Sequence, residues 1–212
     1  MKKSIIAILA SAAAVSAFAA TLKLDVPVAL ISGTQVPFKV PNFDPYDGPQ
    51  PEIQVPDGVK NVAKGKPVTS SDDFPVIGEL TLITDGDKEA AEGCYVEIQN
   101  GLQWVQIDLQ NPVEIYAIAV WHYHSQERAY KDVVIQVSDD PTFKKGVTTV
   151  YSNDTDNSSK LGKGAEKTYV ETNYGKLVAL KTPVKGRYVR LYSDGNTTND
   201  MNHYTEVEVF AK

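Results

Sequence analysis

Hydrophobic and polar positions alternate most clearly between Leu102 and Asp140, where LQWVQIDLQNPVEIYAIAVWHYHSQERAYKDVVIQVSDD predicts three successive strands. From Trp104 to Leu109, Val105, Ile107 and Leu109 fall on one side and Gln106 and Asp108 on the other, the pattern of a strand with one wet face. Asn111-Pro112 is expected to break the run, because proline has no N–H for a ladder. Ile115 to Tyr123 is apolar on both faces, which predicts a central strand covered on two sides. Val133 to Val137 is the third strand, closed by the turn residues Ser-Asp-Asp-Pro. No helical period separates the three, so the sheet is expected to be antiparallel.

Further short strands are expected near Val147 to Tyr151, Lys167 to Glu171, Arg187 to Tyr192 and Tyr204 to Phe210. Loops rich in Gly, Asn, Asp and Ser lie between them, as in NDTDNSSKLGKG and SDGNTTNDMN. From Asn61 onward the chain therefore reads as all-β, a jelly-roll β-sandwich. Residues 20–59 differ in kind. Seven of the twelve prolines sit there, at 27, 37, 41, 45, 49, 51 and 56, which forbids a long helix and favours extended chain. Leu30, Ile31, Phe38 and Val40 are too apolar for a solvated linker, so the segment is read as an extended proline-rich N-terminal arm lying on the domain, with a flexible linker as the alternative.

The first residues, MKKSIIAILASAAAVSAFAA, have the form of a signal peptide. Lys2 and Lys3 supply the positive end, Ile5 to Val15 the short apolar run, and Ala17-Phe18-Ala19 the small-x-small cleavage site. The expected organisation is thus a leader over 1–19, the arm or linker over 20–59 and the sandwich over 60–212. No later run is long and apolar enough to cross a bilayer, so the expectation is an exported protein, periplasmic or secreted, with no membrane span. Of the 212 residues, 42% are hydrophobic, enough for one sizeable core. The formal charge of -6 argues against nucleic acid as a partner, since phosphate backbones are repelled. The single cysteine, Cys94, excludes an internal disulfide and zinc-finger spacing, and is expected to be a small half-buried side chain.

Taken in order, NVAKGKPVTSS, the ITDGD turn, QWVQIDL, RAYKDVVIQVSDD, GRYVRLY and HYTEVEVFA resemble the successive signatures of discoidin domains, the coagulation factor V/VIII C-type modules. Their bacterial relatives include family 32 carbohydrate-binding modules. The resemblance covers residues 60–212 and implies a galactose-binding-like sandwich with a ligand site in the loops at one end. It also implies a structural Ca²⁺ held by the Asp85 and Glu206 side chains and the Leu82, Asp87 and Thr205 carbonyls, a hard-oxygen set of the kind calcium takes. The chain departs from the family pattern after the turn, where Asp87-Lys88-Glu89-Ala90 lacks the usual Ser or Thr.

His122 and His124 share one strand face, continuing the line of Ile118 and Val120 toward the rim of the sandwich. With Arg128, Tyr123 and Tyr130, and with His203 before the last strand, they form the candidate ligand site: aromatic rings to stack on a pyranose and fixed donors to read its hydroxyls. The alternative for each is a structural hydrogen bond, to loop backbone for the imidazoles and to a carboxylate such as Glu127 for Arg128. A His-x-His followed by a carboxylate also resembles the metal-binding cupins, but Glu127 comes too early and the flanking glycines are missing. There is no G-x-S-x-G elbow and no histidine placed by a family signature to activate Cys94. The lysines near 144–145, 160–167 and 185–190 are diluted by Asp and Asn and read as solvated loops rather than a membrane surface. The expectation is a non-catalytic module that binds a glycan or other extracellular ligand; a structural or protein-interaction module making contact through the arm is the alternative.

Overall fold

The computed structural model describes residues 18–31 and 39–212, with side chains from residue 20 onward. The expected leader lies outside the described residues as far as Ala17, as do Pro37 and Phe38 of the arm. In chain order the strands are β1 (Phe18–Leu22), β2 (Phe43–Asp44), β3 (Ile53–Pro56), β4 (Lys60–Asn61), β5 (Val68–Ser70), β6 (Val96–Ile98) and β7 (Leu102–Trp121). After these come β8 (Val134–Ser138), β9 (Thr148–Ser152), β10 (Thr168–Tyr169), β11 (Lys176–Asp194), β12 (Asn202–Tyr204) and β13 (Glu206–Ala211). A single 3-10 turn, Leu80–Thr84, lies between β5 and β6.

Two long strands organise the fold. β7 and β11 pair antiparallel along nearly their whole length, from Lys176 opposite Val120 to Asp194 opposite Leu102. The register slips between Ala179 and Val184 and again between Gly186 and Tyr188, and Gln110 takes a positive φ of 71° beside the same corner. Bulges of this kind bend a ribbon sharply. The ribbon folds over there, so Val105, Ile107, Val189 and Leu191 on one arm share a core with Ile118, Val120 and Val178 on the other. One arm is flanked by β13 and β4, the other by β5, β8 and β9, giving two layers of one continuous antiparallel sheet.

The alternation in 104–109 places Val105, Ile107 and Leu109 in the core as expected. The expected break at Asn111-Pro112 is corrected: β7 runs through it, because Pro112 falls at the bend, where the ladder is already interrupted and no donor is needed. Ile115 to Trp121 is covered on both faces, with Ile115, Ile118 and Val120 in the main core and Ala117, Ala119 and Trp121 facing outward. That outer face is apolar and is covered by the segment before β4. Leu24 is buried against Trp121, Leu177 and Phe210, with Leu22, Ile53 and Val59 packed around it. β2 pairs with β10, Asn173 Nδ2 donates to the Pro27 carbonyl at 2.8 Å, and Leu177 N donates to Gln50 Oε1 at 3.2 Å. Residues 26–31 of the same segment leave Val28 and Ile31 exposed.

Candidate functional site

Because the β7–β11 ribbon doubles back, its two free ends arrive at the same end of the sandwich. Tyr204 Oη meets Ser193 Oγ of β11 at 3.1 Å, and Thr205 Oγ1 donates to the His122 carbonyl just past β7. The loops gathered there are 85–95, 122–131, 171–175 and 195–201. Asn202 ties the last of them to the turn between β6 and β7: its Nδ2 donates to the Gln99 and Gly101 carbonyls, and its Oδ1 accepts from Gly195 N at 2.8 Å.

The three histidines come together at this end, and all are buried. His122 bonds Glu171 through Nδ1 at 2.5 Å and stacks on Tyr130 at 4.3 Å between centroids. His124 Nε2 donates to the Lys88 carbonyl at 2.9 Å. His203 is engaged at both nitrogens, by the Tyr130 hydroxyl at 2.9 Å and by Glu97 at 2.8 Å. Burial, with Arg128 and His122 adding to it, pushes the His203 pKa down to about 3. Burial also raises the Glu97 carboxyl, although Arg128 opposes that. The imidazoles and Tyr130 thus form the floor of the loop end rather than its solvent face. His122 and His124 have separate partners, and the cupin-like arrangement of both on one metal is not assembled among the described residues.

Beside that floor, the Arg128 guanidinium carbon lies over the Tyr123 ring, 4.5 Å from its centroid. Tyr123 in turn meets Tyr95 edge to face at 4.6 Å. Arg128 Nη2 donates to Gln126 at 2.8 Å and the guanidinium acts on the Tyr130 hydroxyl, but Nε and Nη1 make no hydrogen bond of ordinary geometry. Tyr95 and Glu97 were not legible as site residues, since both sit in a strand of only three residues and its approach. The loop before the 3-10 turn is the other omission. Val76 N donates to the Glu97 carbonyl at 2.7 Å, and Phe74, two residues earlier in the same loop, has 84% of its surface exposed. An aromatic ring this exposed offers a stacking surface to a ligand.

The turn expected to hold calcium lies on the neighbouring side. Glu206 opposes Trp121 across the β13–β7 ladder, and its Oε2 accepts from Gly86 N at 3.1 Å. The structure therefore brings Asp85-Gly86 and Glu206 together across 120 residues of chain. Glu206 is wholly buried, its Oε1 has no partner, and burial pushes its pKa up to about 8 despite the Gly86 N–H. Asp85 and Glu208 add to that rise. A dry carboxylate with one unspent oxygen beside a second carboxylate fits a hard cation. Lys88 does not fill the place: it pairs with Glu208 at 3.0 Å over the Trp121 ring.

With this geometry in hand, a family model described as F5/8 type C domain matches residues 68–207. Among solved structures, the chain is similar to the family 32 carbohydrate-binding module from C. perfringens NanJ in complex with galactose. The identity is 12% and the TM-score 0.53, covering 72% of this chain and 98% of that one. It is similar also to chitosan-binding module 1 of a chitosanase/glucanase from Paenibacillus sp. IK-5, at 20% identity and TM-score 0.51, covering 71% and 98%. A third likeness is to a family 89 glycoside hydrolase from Clostridium perfringens, at 20% identity and TM-score 0.52, covering 72% of this chain and 14% of that one. No curated protein matches the chain. At these identities the likeness is one of fold.

Proposed function

Since the chain belongs to the F5/8 type C (discoidin) family through residues 68–207, we propose that it is an exported, non-catalytic module that binds a glycan at the loop end of its sandwich, with a structural Ca²⁺ alongside. Arg128 carries this reading. A buried guanidinium whose Nε and Nη1 make no hydrogen bond of ordinary geometry, set over the Tyr123 ring, is a fixed donor pair beside an aromatic surface, the combination that reads sugar hydroxyls. Tyr123, Tyr95 and Phe74 supply the stacking faces. His122, His124, Tyr130 and His203 hold these groups in place through the bonds they already make. The galactose complex named for the NanJ module supports a sugar as the ligand class.

Calcium would be held by the Asp85 and Glu206 carboxylates with the Leu82, Asp87 and Thr205 carbonyls, and its charge would hold Glu206 ionised within its buried setting. The test is a glycan array followed by calorimetry on the best ligand. Arg128→Ala and Tyr123→Ala should each weaken binding at least tenfold; because Arg128 is buried its variant should also melt lower, so the half-buried Tyr123 variant, checked for a native circular-dichroism spectrum, separates a lost ligand contact from a lost fold. Retention of full affinity in both variants would place the ligand elsewhere.

A protein-interaction role for the arm is favoured by one observation, the exposed apolar run Val26, Val28, Leu30 and Ile31. Co-purification of a partner, lost when those four residues are changed to Ser, would support it.

A further inference from the structure

Where the arm passes β10, it leaves a cavity of about 210 Å³ walled by Pro41, Lys131, Asp132, Asn153, Asp156 and Ser158. Its volume is below the roughly 300–1,000 Å³ of drug-sized pockets and suits a single sugar ring. Asp132, Asp154 and Asp156 bring carboxylate oxygens within 4.8 Å of one another at this place. They are not equivalent. Asp154 is buried and the most engaged: Oδ1 accepts from Ser158 N at 3.1 Å, Oδ2 accepts from Ser159 N at 3.0 Å and from the Ser159 hydroxyl, and its carboxyl also interacts with that of Asp156. Asp132 accepts from the Ser158 hydroxyl at 2.7 Å, and Asp156 from Ser158 N at 3.0 Å. Burial, together with Asp154, Asp194 and Asp156, raises the Asp132 carboxyl above its ordinary range. Lys131 does little to offset this charge, since its ammonium is half exposed and turned to Asp200 at 3.7 Å.

Clustered carboxylates alone ask for any cation. Asn153, in the wall of the same cavity and 5% exposed, adds a different demand. Its Oδ1 accepts from Val133 N at 2.7 Å, which fixes the amide and leaves Nδ2 as a buried donor with no partner. A bare divalent ion would suit the carboxylates but would face an N–H₂ group, a donor that cannot ligate it. A ligand with an ammonium group beside a hydroxyl answers both demands, because the ammonium donates to carboxylates while the hydroxyl oxygen accepts from the amide.

We infer that this cavity is a second ligand site, built by different residues from the loop-end site, that takes a 2-amino sugar: the ammonium on Asp132 and Asp156, a neighbouring hydroxyl oxygen on Asn153 Nδ2. Calorimetry of the full chain at pH 6.5, where the amine is protonated, tests it with glucosamine as the probe beside N-acetylglucosamine, glucose and calcium chloride. Saturable glucosamine binding is expected, at least tenfold tighter than for the acetylated or plain sugar, and weakened at least tenfold by Asp156→Asn and by Asp132→Asn. The first variant changes an exposed side chain and the second is isosteric, so both should fold, as checked by unchanged melting. Absence of saturable binding, equal binding of N-acetylglucosamine, or binding indifferent to both substitutions overturns the site as drawn. Calcium binding that depends on Asp156, with no glucosamine binding, overturns it in favour of a metal.

Discussion

Glu206 is the residue whose setting makes the sharpest demand. Its folded pKa of about 8 lies well above the value near 4.3 of an unfolded glutamate. Between those two pH values the folded state holds a proton that the unfolded state has lost, so stability falls as pH rises through the window and levels off above it. With chelator present, the melting temperature should therefore drop between pH 5 and pH 8 once other titrations are subtracted with Glu206→Gln, which removes this slope. Calcium should raise the wild-type melting temperature by several degrees at pH 8 and leave Glu206→Gln unmoved. A wild-type curve that is indifferent to calcium and parallel to that of the variant would sink the cation site. His203 acts on the acid side. Its pKa of about 3 lies below the unfolded value near 6.5, so it withdraws stability as pH falls through that window. The burial of the histidines was not legible, because alternation gives a face and not a depth. Whether His122 and His124, past the end of β7, meet water depends on the loops that close over them, here 85–95 and 171–175.

At the scale of elements, the ribbon of β7 and β11 decides where everything else can go. Its half from Arg187 to Tyr192 was readable, whereas Lys176 to Gly186 was not, since LVALKTPVKG carries a proline and a glycine that read as loop. Both fall at the corner, where pairing is already irregular. The entry to β11 is set by Gly175, whose φ of 62° is left-handed and whose Cβ, if present, would lie 2.5 Å from the Trp121 ring. Gly175→Ala should therefore cost about 2–3 kcal/mol through overpacking and backbone strain, or roughly 5–10 °C of melting temperature for a chain this size. Gly58→Ala, with positive φ but open space around it, should lose markedly less. Equal losses would mean that the contact with Trp121 is not what fixes this turn.

For the whole molecule, the segment before β4 acts as a third layer over an apolar sheet face. Leu24 and Val55 are buried, and removing the segment would bare Ala117, Ala119, Trp121, Leu177 and Phe210. Leu24→Ala should destabilise by about 2 kcal/mol, the low end for a buried leucine because its site is shallow. Deleting residues 20–58 should yield aggregated protein, or protein whose tryptophan emission is shifted to the red as Trp121 meets water. A soluble monomer with unchanged melting and emission would show that the layer is dispensable. The strand and turn pattern was enough to give the sandwich, since local periodicity and turn chemistry survive in the linear chain; the pairing of Asp85 with Glu206 came only from the family resemblance that the motifs carry. Which faces are dry, which donors are left unspent and that Asn153 shares a cavity with Asp132 and Asp156 depended on loops meeting across the folded ribbon. Burial belongs to a residue's neighbours in space, and only the closed tertiary structure supplies them.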